Sequence, residues 1–122
     1  MLPTFRVVVC GSRSFTDYAT LEKVLDNLLS KKVTTHAVVI LSGMARGADS
    51  LAILYANKKG ITMELHPALW DKHGKQAGYI RNQEMIQNAD AMVAFWDGKS
   101  KGTADTIGRA KANGIMYYVY EY

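Results

Sequence analysis

Leu41-Ser42-Gly43-Met44-Ala45-Arg46-Gly47-Ala48-Asp49 joins two segments of different periodicity. Ahead of it lies Ala37-Val38-Val39-Ile40, short, apolar and rich in β-branched residues, as a buried strand is. Behind it Ala48, Leu51, Ala52 and Tyr55 recur at helical spacing. The chain therefore passes from strand to helix through a turn holding two glycines and an arginine. Such a turn leaves backbone N–H groups at the positive end of a helix dipole, where a phosphate can sit. Arg46 adds the planar fork of a bidentate anion grip. The pattern occurs twice more. Cys10-Gly11-Ser12-Arg13-Ser14-Phe15-Thr16-Asp17 follows Arg6-Val7-Val8-Val9, and Asp97-Gly98-Lys99-Ser100-Lys101-Gly102-Thr103 follows Ala91-Met92-Val93-Ala94-Phe95. Three such units, each with a basic residue, predict one composite anion site.

Working outward, five strands alternate with four helices. The strands are expected near Phe5–Cys10, His36–Ser42, Ile61–His66, Ala91–Phe95 and Ile115–Tyr120, the helices near Tyr18–Lys32, Ala48–Lys59, Gly78–Asn88 and Thr103–Asn113. Thr16 or Asp17 caps the first helix, and Gly60 and Gly114 end the second and fourth. This alternation predicts an α/β fold: a single Rossmann-like domain over residues 1–122, with a five-stranded parallel sheet and helices on both faces. All strand C-terminal ends then share one edge. The glycine loops meet there, at the point where strand order reverses. The longest irregular stretch, Pro67 to Ala77, lies at the same edge.

The 122 residues carry 15 Lys and Arg against 11 Asp and Glu, a net charge of +4 and a pI near 9.2. Lys31-Lys32 and Lys58-Lys59 sit at helix ends, where cations favour the dipole. So modest an excess suits a small anionic ligand and argues against a nucleic-acid partner. No apolar stretch approaches the ~20 residues of a membrane span, and Met1-Leu2-Pro3-Thr4-Phe5 lacks the pattern of a signal peptide. A single cysteine, Cys10, excludes an intramolecular disulfide; a cytoplasmic location and a buried core thiol are expected. His66, Asp71 and His73 do not have zinc-ligand spacing, so no metal is expected. Ser42 lacks the Gly-x-Ser-x-Gly surroundings of a hydrolase nucleophile.

Trp70 and Trp96 fall in loops at the ligand edge, and one of them is expected to stack on a base, Trp96 ahead because it abuts the last glycine loop. Arg13 and Arg46 are read as phosphate ligands rather than partners of Asp17 and Asp49. Arg81, near a helix start where the dipole opposes a cation, points to an anionic ligand or partner. The aromatics Tyr117, Tyr118, Tyr120 and Tyr122 close the chain and predict an exposed sheet edge and a homodimer or larger homo-oligomer.

The ordered set Gly11-Ser12-Arg13, Ser42 to Asp49, Trp70 to Gly78, Ile80-Arg81-Asn82, Phe95 to Gly98 and Ser100 to Thr103 resembles the SLOG superfamily, nearest its YspA-like branch. The resemblance implies a Rossmann-like fold shared with the LOG phosphoribohydrolases, with DNA-processing proteins related to DprA, and with sensors of nucleotide signals. It implies a nucleotide, ADP-ribose or cyclic ADP-ribose-like ligand, and no further cofactor. The ligand-binding set it suggests is Gly11, Ser12, Arg13, Ser42, Gly43, Met44, Arg46, Gly47, Asp49, Trp70, Arg81, Asn82, Trp96, Gly98, Ser100, Lys101, Gly102 and Thr103. LOG enzymes carry a glutamate after their last Gly-Thr pair; here that position is Thr106. Asp105 is adjacent, but one helical residue turns a side chain by about 100°. Relatives often have glycine where this chain has Met44, whose side chain would narrow the pocket or line the base. The expectation is a module that senses or sequesters a nucleotide-derived phosphate ligand. The alternative is a LOG-like hydrolase of an N-glycosidic or phosphate bond, with Arg81 and Asp97 or Asp105 as the working pair; DNA binding ranks third.

Overall fold

The computed structural model describes residues 2–122; Met1, part of the stretch read above as lacking a leader, lies outside them. Five strands, β1 (Thr4–Gly11), β2 (Ala37–Ser42), β3 (Thr62–Leu65), β4 (Ala91–Trp96) and β5 (Met116–Glu121), form one sheet in the order β3-β2-β1-β4-β5. Every pairing is parallel. The order reverses between β1 and β4, so the crevice of a doubly wound sheet opens beyond their C-terminal ends.

Period-two alternation divides the strands between two cores. Val7 and Val9, Val38 and Ile40, and Ala91, Val93 and Phe95 face one side. There they meet α1 (Tyr18–Leu29) through Leu21, Leu25 and Leu29, and α3 (Ala48–Lys59) through Ala48, Ala52, Tyr55 and Ala56. Val8, Cys10, Leu41, Met92 and Ala94 face the other side, against Met85 and Ile86 of α5 (Ala77–Gln87) and Ile107 and Ala110 of α6 (Lys101–Ala112). Helices therefore cover both faces, as the alternation requires.

Several boundaries differ from the sequence expectation. The first helix stops at Leu29, and Lys32–Thr35 form a separate short helix, α2. Ser30 and Lys31 separate the two helices, and both threonine hydroxyls of α2 donate back to the Lys31 carbonyl. Asp17, not Thr16, caps α1 by accepting from the Thr20 N–H at 3.1 Å. The stretch expected to be irregular holds α4 (Trp70–His73) and a 3-10 turn over Gly74–Gln76. Ser100 caps α6, so Lys101 and Gly102 belong to its first turn. Lys58 and Lys59 do end α3, and they also reach Glu22 and Asp26 on α1.

The edge strand β5 leaves Met116, Tyr117 and Tyr118 exposed, as is Tyr122 just beyond it, but Tyr120, expected with them, points inward and packs on Phe95. Tyr122 packs on Phe15, which stacks on Phe95 at 4.8 Å and ties the β1–α1 loop to the sheet. Among the described residues no helix is long and apolar enough to cross a membrane.

Candidate functional site

Gly11 ends β1, Gly43 follows β2, Gly47 precedes α3, Gly98 follows β4 and Gly102 lies in the first turn of α6. All five stand at the C-terminal edge of the sheet, so the composite arrangement expected from the three loops is present. Close approach to backbone demands Gly11 and Gly47, while Gly43 lies against the ends of two side chains. A Cβ on Gly11 would strike the Phe95 carbonyl and lie 2.6 Å from the Ala48 Cβ. A Cβ on Gly43 would strike the Arg81 guanidinium. Gly47, at φ 77° and ψ −131°, has the Ser12 and Arg13 backbone where a side chain would go.

Two adjoining lobes open at this edge. The inner lobe, about 100 Å³, is lined by residues of β1, α5 and the start of α6, with Cys10, Met85 and Thr106 among its walls. Ser100, Gly102 and Thr103 bring the positive end of α6 into it. The outer lobe, about 290 Å³, lies between the β2–α3 loop and the segment ahead of α4, and carries Met44 and Trp70. Arg13, Ala45 and Arg81 line both lobes.

Arg81 is held at this junction. Its Nη1 donates to the Gly43 carbonyl at 2.6 Å and its Nε to the Asn82 Oδ1 at 2.9 Å. Asn82 in turn donates to the Asp105 carboxylate at 3.1 Å. Beside Arg81 lies Asp49, 5% exposed, which accepts from the Ala45 N–H at 3.3 Å. Burial pushes its carboxyl from 3.8 up to about 6, against the opposing pull of Arg81, the Ala45 and Gly11 N–H groups and Arg13. Cys10, at the floor, is also buried, and burial drives its thiol well above the ordinary thiol range.

The raised Asp49 carboxyl has a consequence for stability. In the unfolded chain it ionises near 3.8, so between about 4 and 6 the folded protein retains a proton that the unfolded chain has released. That stabilisation is complete below 3.8 and is lost as pH rises through about 6. Relative to Asp49→Asn, the native chain should lose on the order of 3 kcal/mol between pH 4 and pH 7. Urea midpoints of both proteins across that range would measure it; a native chain that gains stability over Asp49→Asn as pH rises contradicts the assignment.

The other expected residues divide into those that face the lobes and those that build them. Ser12 is buried; its Oγ accepts from the Asp97 N–H at 3.1 Å and ties the first and last loops together. Ser42 donates to the Asp49 carbonyl at 2.9 Å and accepts from the Met44 N–H at 3.2 Å, a bracing role within the β2–α3 turn. Arg46 is exposed and lines neither lobe. It was expected to grip the anion because it shares a glycine loop with the site, but the turn leaves it outside while Arg13 lines both lobes. Gly98 and Lys101 are likewise exposed and away from the lining.

The two tryptophans are placed differently from each other: Trp70 lines a lobe and Trp96 does not. Trp96 donates its indole N–H to the Ser100 carbonyl at 3.0 Å and packs on the α5–α6 core. Trp70, 54% exposed, lines the outer lobe.

Neither candidate catalytic carboxylate lines a lobe. Asp97 accepts the Ser100 and Lys99 N–H groups, which hold its carboxyl below the usual carboxylate range. Asp105 accepts from Arg109 Nε at 2.8 Å and from Asn82. Thr106, 2% exposed, is the residue that lines the inner lobe, and its hydroxyl donates to the Gly102 carbonyl at 3.2 Å. The helical phase argued from sequence therefore holds: the position one residue beyond Asp105 faces the cavity. Cys10, Ala45 and Met85 were not anticipated as lining residues. Cys10 was placed in the core from its strand; Ala45 lies within the second glycine loop but offers no polar side chain to single it out, and Met85 lies outside the quoted motifs. Among the described residues no three His, Cys, Asp or Glu side chains converge as metal ligands; His66 pairs with Glu64 at 3.2 Å.

Residues 5–73 match the model of YAcAr, the YspA, cpYpsA-related SLOG family. The chain belongs to that family. The match takes in the first two glycine loops and Trp70, and it agrees with the resemblance read from the motifs. The chain is 39% identical over 116 residues to the Gene 61 protein of Mycobacterium phage D29, covering 90% of this chain and 91% of that protein. Its fold is similar to that of DNA processing protein A (DprA) from Streptococcus pneumoniae, with a TM-score of 0.71 at 21% identity. That alignment covers 97% of this chain and 50% of the DprA chain, so this SLOG-family chain spans half the length of that structural neighbour.

Proposed function

We propose that this SLOG-family chain binds a nucleotide-derived phosphate ligand without turning it over, as a sensor or sequestering module. The observation that carries the proposal is the placement of Arg81 and Arg13 along both lobes, facing the first turn of α6. A phosphate in the inner lobe would meet two guanidinium forks, the hydroxyls of Ser100 and Thr103, and the positive end of a helix. The rest of a nucleotide would extend past Arg81 into the outer lobe. Family membership supports a nucleotide-related ligand.

Chemistry supports the absence of LOG-type turnover, although one carboxylate, Asp49, does line the inner lobe. Breaking an N-glycosidic bond builds positive charge on the sugar, which a nearby carboxylate stabilises. Thr106 lines the cavity where LOG-type enzymes would place a glutamate, and Asp97 and Asp105 are engaged elsewhere. Asp49 is the carboxylate at the lobe, and Arg81 lies beside it. Self-association through the exposed tyrosines of β5 belongs to the same proposal, as does a cytoplasmic setting.

Incubation with the four ribonucleoside 5′-monophosphates, followed by chromatography, tests it. Binding without release of free base is expected. Release of base that Asp105→Asn or Asp97→Asn abolishes would establish the hydrolase alternative instead.

A further inference from the structure

Met44 is the one non-glycine residue with positive φ among the described residues, at 64°. Left-handed backbone brings Cβ against the following carbonyl, a penalty that glycine avoids. The loop holds Met44 there: its N–H donates to the buried Ser42 hydroxyl, and the neighbouring Gly43 carbonyl accepts from Arg81. The side chain offers the core nothing in return, being 46% exposed. A strained backbone that presents an apolar side chain to an open cavity is a functional signature rather than a packing one.

Met44 and Trp70 line the same lobe, together with Pro67 and Ala68. Its charged lining is Arg13 and Arg81 at the side shared with the inner lobe, and it contains no carboxylate. Apolar walls beside a cationic waist suit a flat uncharged ring attached to a phosphate. They suit a second phosphate or a bare sugar poorly, since neither gains from apolar contact. A thioether and an indole both make favourable contacts with an aromatic ring.

We infer that the outer lobe takes the aromatic base of the ligand, with Met44 and Trp70 as the residues that select for it. This rests on the phosphate-binding assignment of the inner lobe. The strained position of Met44 is what brings a thioether to the base.

Calorimetric titration of the four ribonucleoside 5′-monophosphates and ribose 5-phosphate tests the inference. The wild-type chain should bind at least one nucleotide more tightly than ribose 5-phosphate. Met44→Gly and Trp70→Ala should each weaken that nucleotide about tenfold and leave ribose 5-phosphate unchanged. Met44→Leu, which retains an apolar side chain, should keep most of the affinity. The melting midpoint of Met44→Gly should be no lower than that of the wild type, because glycine relieves the backbone. Equal binding of ribose 5-phosphate and every nucleotide overturns the base-selecting lobe while leaving the phosphate site standing. So does a Met44→Gly loss shared equally by both ligand types. Failure of all five compounds to bind overturns the phosphate site and this inference with it.

Discussion

Gly47→Ala should destabilise the protein by about 3 kcal/mol or more, the largest single effect expected at the ligand edge. Two penalties combine. At φ 77° and ψ −131° the backbone lies outside the regions open to L residues. The new methyl would also strike the Ser12 carbonyl and lie 2.7 Å from the Arg13 Cα, both backbone atoms that cannot swing away. The β1–α1 and β2–α3 loops would have to separate, and both border the inner lobe. Gly60 supplies the control. It caps α3 at φ 68° and ψ 30°, with nothing within 4 Å of a Cβ. Gly60→Ala should cost only the left-handed penalty of about 1 kcal/mol. Urea denaturation of both variants measures the difference; equal losses would show that the close loop approach contributes nothing.

Arg81→Ala should weaken binding of a nucleoside monophosphate by roughly 100-fold or more, since two charge-assisted hydrogen bonds contribute ~1.5–3 kcal/mol each. Arg81→Lys should rescue little, because a single ammonium lacks the fork that can hold the Gly43 carbonyl and a phosphate oxygen together. Arg46→Ala should change affinity by less than about threefold, as exposed charges are screened by solvent and salt. Calorimetry on the three variants orders them. A larger loss at Arg46 than at Arg81 would mean that the exposed arginine, not the one at the waist, holds the phosphate.

Arg13 and Arg46 show where sequence reading stops. Both follow a glycine in a strand-to-helix loop, and composition cannot separate them. Which one lines the cleft depends on turn geometry, including the bracing of the second turn by Ser42 and Asp49. The tryptophans present the same difficulty. Trp96 abuts the last glycine loop in sequence, yet its indole N–H is drawn to the Ser100 carbonyl, while Trp70 is carried to the outer lobe by a short helix that its polar sequence does not announce. By contrast, short β-branched apolar runs alternating with helical spacing dictate the layers, and parallel connections then bring every strand end to one edge. Thr106 and Asp105 were separable for the same reason, since helical phase follows from residue number alone.

A crystal structure of the chain with a bound nucleoside 5′-monophosphate tests the central claim most directly. The phosphate is expected in the inner lobe, within hydrogen-bond distance of the Arg81 guanidinium and the first turn of α6, with the base in the outer lobe beside Met44 and Trp70. A phosphate bound elsewhere, or an empty cleft at saturating nucleotide, would contradict the account.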